Sequence, residues 1–91
     1  MLTYEDCLEF SGLSEEEVAA IAEHEHLPDI LAVELGNYLV QSVDGQPMIR
    51  RIILDDIRDA REHGHRERAR RLELVLSHFI SNHPLQQRAL V

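Results

Sequence analysis

Ninety-one residues, 44% apolar, 29% charged and 4% aromatic, make one domain with a modest aliphatic core, too short for a separate catalytic domain and too apolar for a disordered chain. A formal net charge of −8 argues against a nucleic-acid partner, and no apolar run reaches the roughly 18 residues of a membrane span. The first ten residues carry acids where a secretory leader needs positive charge, and the lone cysteine, Cys7, cannot form an internal bridge, so a single helical domain over residues 1–91 in the reducing cytoplasm is expected.

Helix signals run the length of the chain. Thr3 with Asp6 and Ser14 with Glu17 have the spacing of capping boxes, and Gly12 stands where a first helix would stop, which predicts helices over 4–11 and 15–25. Pro28 and Pro47 read as first-turn prolines of helices over 28–42 and 47–63, separated by the turn "QSVDGQP". Gly64 then breaks the pattern before a last helix over 65–82, which makes 47–63 and 65–82 an antiparallel hairpin. The expected fold is all-α, a compact bundle of four to five helices with that long C-terminal hairpin, and residues 84–91 read as a flexible tail.

Helical spacing of the apolar residues predicts which faces are buried. Ile49, Ile52, Ile53, Ile57 and Ala60 form one stripe, and Ala69, Leu72, Leu76, Phe79 and Ile80 another that should pack on it. In the third helix Leu31, Leu35, Tyr38 and Leu39 share one side, and Val33 and Val40 lie opposite, near Gly36. A glycine there costs roughly 1 kcal/mol against alanine, which points to the close approach of another backbone.

Charge divides the chain. Residues 1–46 hold eleven acids and no Lys or Arg, whereas residues 47–91 hold nine Arg against six acids, or −11 and +3, so the two halves are expected to face each other across the core. Within "RERARR", residues 66–71, Glu67 is spaced to pair with Arg70 and Arg71, and no aromatic residue accompanies the run. It reads as a salt-bridged helix face. "LSEEEVAAIAEH" has the look of the first helix of a helix-turn-helix, but the helix after it has no basic residue to meet phosphate.

Two places could carry chemistry. In "AEHEHLPD" His24 and His26 point ~200° apart on a helix, so the pair that could share an ion is Glu23 with His26, at the spacing used in carboxylate-bridged di-metal bundles. Pro28 ends that helix and Gly64 interrupts the one similar match, Glu62 with His65, so a solvated helix end is the expectation, with no metal and no other cofactor. The remaining histidines, at 63, 65, 78 and 83, fall at helix ends or turns, and the four glycines stand alone, without a phosphate loop. Asp56 is the other place. It falls inside the stripe of Ile49, Ile52, Ile53 and Ala60, so it should be less exposed than its acidic neighbours and should meet an Arg, a His or a backbone N–H; as a general base or metal ligand it would work with Asp59 and His63.

No catalytic set stands at a defined spacing, so nothing supports an enzyme. The expected role is a non-catalytic protein–protein interaction module that self-associates as a homodimer, against a competing reading as a metal-binding helical bundle. Leu74 points ~180° from its own stripe, Val33 and Val40 make a second apolar side, Arg70 and Arg71 supply charge, and the tail ends in Ala89, Leu90 and Val91. One chain of this size has little surface with which to cover them all.

Overall fold

Two short capping motifs set the first helices. The Thr3 hydroxyl accepts the Asp6 N–H at 3.1 Å and the Asp6 carboxylate accepts the Thr3 N–H at 3.2 Å, which starts α1 (Tyr4–Ser11). The same exchange between Ser14 and Glu17, at 3.1 and 2.9 Å, starts α2 (Glu15–Glu25). α2 stops at His26, whose backbone turns left-handed at φ 57°. The computed structural model describes residues 3–83, is 83% helical and has no strand among the described residues.

Pro28 precedes α3 (Asp29–Gln41) as its cap with ψ 154°, outside the helix rather than in its first turn. α4 (Gly45–Glu62) begins two residues before Pro47, which therefore occupies the third helical position; its missing N–H is still one of those left free in a first turn. The turn between α3 and α4 is very tight. A Cβ on Gly45 would lie 1.8 Å from the Leu39 carbonyl oxygen, so the chain passes there only because the residue has no side chain. α5 (Arg66–Asn82) follows a turn in which Gly64 takes φ 73°. Residues 12–14, 26–28, 42–44 and 63–65 form the four connections, three residues each.

α4 and α5 are antiparallel, as their spacing predicts. Arg61 pairs with Glu73 near the turn, and at the far end an Arg50 Nη2 donates to the His83 carbonyl at 3.3 Å. Ile49, Ile52, Ile53 and Ile57 on α4 and Leu72, Val75 and Phe79 on α5 join Leu13, Val18, Ile21, Ala32 and Val33 in one hydrophobic cluster, which also takes in the buried Cys7. Most of the α5 stripe is as expected, but Val75 is buried in place of Ile80, which is 40% exposed.

α3 buries residues from both of its apolar sides. Ala32, Val33, Gly36 and Leu39 face the core, whereas Leu31 and Tyr38 face outward. The reason is packing volume. A Cβ on Gly36 would sit 2.6 Å from Leu13 Cδ1 and 3.2 Å from Ile21 Cδ1, so Gly36 marks a close approach of α3 to the α1–α2 connection and to α2, and it meets side chains there, not backbone. The tail, with Ala89, Leu90 and Val91, lies outside the described residues.

Candidate interaction surface

Of the residues expected to mediate contact, Leu74, Arg70 and Arg71 share one exposed stretch of α5, and Val33 and Val40 do not join them. Leu74 is 68% exposed, and Arg70 and Arg71 beside it are exposed. Val33 is fully buried and Val40 half-buried against the core, so neither forms a second outer side. The outer apolar residues of α3 are instead Leu31 and Tyr38, the latter 68% exposed.

What surrounds Leu74 is a shallow cleft between α2 and α5. The two helices run antiparallel, joined at one end by the Glu23–Arg68 ion pair and at the other by His78, whose Nδ1 meets the Glu17 carboxylate at 3.1 Å. Glu17 is 1% exposed, so its charge is held between the Ser14 N–H and that imidazole. Between the two ties lie hollows of about 180 Å³, floored by Ala20, Leu72 and Val75, and about 350 Å³, rimmed by Ser14, Leu74 and His78. Glu16 from α2 and Arg71 from α5 line both.

The two walls differ in sign. Glu16 and Glu23 project from α2, and Arg68 and Arg71 from α5. Among the described residues Arg68 has found Glu23, but Glu16, Arg70 and Arg71 have no ion-pair partner, and the expected pairs of Glu67 with Arg70 and Arg71 are not formed. The sequence reading did not single out Glu16; its signal was the spacing of Glu16, Ala19, Ala20 and Glu23, an acid-edged run of small residues on one helix face.

A second groove, of about 430 Å³, runs between α4 and α5 over Leu54, Ile57, Leu76 and Ile80 and meets the Arg61–Glu73 pair. Its walls belong to the two helices that already cover each other most.

The region around Asp56 is arranged differently from the expectation. Asp56 is half-buried, but so is Asp55, and the buried Asp56 Oδ2 has no hydrogen-bond partner among the described residues. The partner expected for it goes next door: His24 Nε2 donates to Asp55 at 3.3 Å and Nδ1 to Glu25 at 2.9 Å. Only the charged imidazolium donates from both nitrogens. Burial acts to lower the His24 pKa, but the hydrogen bonds to Glu25 and Asp55 and the nearby Asp56 and Glu25 charges outweigh it and raise it. Burial pushes Asp56 up; His24 and Arg68 pull the other way, against Glu23 and Asp55, and the net shift is upward.

Neither chemical reading of these positions assembles. His26 is the exposed left-handed cap of α2 and Glu23 is committed to Arg68, so the two do not converge on an ion. Among the described residues no three of His, Cys, Asp and Glu are placed to hold a metal. His63 Nδ1 donates to the Asp59 carbonyl at 2.9 Å within its own helix end and makes no contact with Asp56. Among the described residues no helix is long and apolar enough to cross a membrane. Comparison with models of protein families, with curated proteins and with solved structures returns no match.

Proposed function

We propose that this chain is a non-catalytic protein–protein interaction module of the cytoplasm that self-associates as a homodimer. The observation that carries the reading is the exposed Leu74 flanked by Arg70 and Arg71, which have no internal acid among the described residues. Single exposed leucines are ordinary. A leucine on the rim of a cleft, beside unpaired arginines and facing an acidic wall, has the apolar centre and charged rim of a protein contact. The chain's net charge of −8 supports a protein partner over nucleic acid, and the free, buried Cys7 suits a reducing compartment.

Light scattering on a sizing column tests it. At ~100 µM, above micromolar dissociation constants, the expected mass is twice the 10.5 kDa of one chain. Leu74→Asp should raise the dissociation constant by at least about tenfold, with helical content unchanged because the side chain lies outside the core. A clean monomer for the native chain at that concentration removes the reading.

A further inference from the structure

We infer that the self-association proposed above uses the α2–α5 cleft in a two-fold contact, in which Arg71 of each copy pairs with Glu16 of the other around a central pair of Leu74 side chains. The inference rests on the reading of the chain as a homodimer, and adds the surface and the register.

Three observations lead to it. First, Glu16 and Arg71 line the same two hollows yet form no ion pair with one another or with any other described residue, while Glu23 and Arg68, on the same two walls, do pair. The cleft thus holds one satisfied and one unsatisfied pair of opposite charges. Second, the walls are self-complementary under a two-fold axis. In an isologous contact residue i meets j and j meets i, so the acidic α2 wall of one copy faces the basic α5 wall of the other twice over. Third, Leu74 stands 68% exposed beside Arg71 on this rim, with the buried Val75 below. A two-fold axis near Leu74 lays each leucine over the other copy's rim and excludes water from the flanking charges, which strengthens them.

Net charge bears on the choice of surface. Two chains at −8 repel at long range, and residues 47–91 carry the arginine excess. A contact through α5 brings the copies together where that repulsion is least. An α3–α3 contact through Leu31 and Tyr38 has no such complement, since Glu34 lies between them and α3 carries no basic residue.

Charge reversal with mixing tests the inference. Sedimentation velocity should show that Arg71→Glu and Glu16→Arg each raise the dissociation constant by at least about tenfold, since each places like charges opposite one another at both ends of the contact. An equimolar mixture of the two variants should dimerise again to within about threefold of the native chain, because one copy then offers two acids and the other two arginines. The double variant should recover as well. Recovery in the double variant alone would mean that the two residues act within one chain, and would overturn the inference; so would recovery in neither. Single variants that dimerise like the native chain would also overturn it while leaving self-association intact, and a native chain that stays monomeric would sink the underlying reading. Should a reversal cost helical ellipticity, Arg71→Gln and Glu16→Gln take its place: each should weaken the dimer about threefold or more, and no weakening by either overturns the inference.

Discussion

Asp56 is a carboxylate whose nearest cations serve other groups. His24 donates to Asp55 and Glu25, and Arg68 pairs with Glu23, so the Asp56 Oδ2 is left buried and unbonded among the described residues. Burial raises its pKa, which means that the folded chain holds this proton more tightly than the unfolded one. Stability contributed by the protonated form is present below the ordinary value of 3.8 and is lost as pH rises through the raised one. Asp56→Asn is therefore expected to stabilise by up to about 1 kcal/mol at pH 7, with the gain shrinking toward pH 3.5; thermal melts of both proteins at the two pH values check it. His24 moves in the same direction. Its raised pKa gives stability that is full below the imidazole value of 6.5 and lost as pH rises through the folded value, and part of that elevation comes from Asp56. An NMR titration of the Asn variant should find the His24 pKa lowered. That Asp56 is unusual was legible from its place in the α4 stripe, since helical spacing alone puts it near Ile52, Ile53 and Ala60. Which histidine or arginine would face it was not, because that depends on how α2 and α5 cross α4.

The helices show the same division between local and distant information. Capping boxes need four consecutive residues, so the starts of α1 and α2 could be read directly, whereas their energetic weights differ through burial that only packing sets. Asp6 closes its box in solvent, while Glu17 closes an identical one at 1% exposure and also carries His78. Asp6→Ala is expected to cost about 0.5–1 kcal/mol and Glu17→Ala at least about 2 kcal/mol, measured by urea denaturation; equal costs would contradict the coupling of that box to α5. α4 is apolar on one side and its buried face followed from sequence. α3 is apolar on most sides, so hydrophobic spacing could not fix its rotation, and the deciding residues were its smallest, Ala32 and Gly36. Gly45 is a harder case of the same rule. Because a Cβ there meets a backbone oxygen, not a flexible side-chain end, Gly45→Ala must move the α3–α4 turn, and a loss of at least about 2 kcal/mol is expected in the same assay.

The described part of the molecule measures 41 × 37 × 18 Å, about two helix diameters thick. Its radius of gyration of 13.3 Å exceeds the roughly 12 Å usual for this length. A thin slab leaves much of each helix facing water, and Phe10, Tyr38, Val43 and Leu74 are each more than two-thirds exposed. The buried residues nevertheless form one cluster to which all five helices contribute. Urea unfolding is accordingly expected as a single transition, with helical ellipticity and tyrosine emission from Tyr4 and Tyr38 changing together; separated midpoints would show that α1 or α3 melts alone. The uneven charge of the sequence suggested two halves paired across the core, yet among the described residues Glu23–Arg68 is the one Arg–carboxylate pair that joins them, and Arg58 and Arg61 are taken by Asp55 and Glu73 of their own half. Composition gives the total charge of each half but not its partners, and the arginines left without a carboxylate among the described residues include Arg70 and Arg71 on the α5 rim.

The four three-residue connections also bear on time. A chain that closes only short loops loses little entropy before its first tertiary contacts form, and helical bundles built in this way reach the native state in microseconds to milliseconds. Within α4–α5 the arrangement lets 38 consecutive positions, 45 through 82, begin to assemble before α1 has found α3. The aliphatic seam of that hairpin would then be exposed to water for only a brief part of each folding event, which keeps a chain with this many outward apolar groups from clumping on its way to the native state.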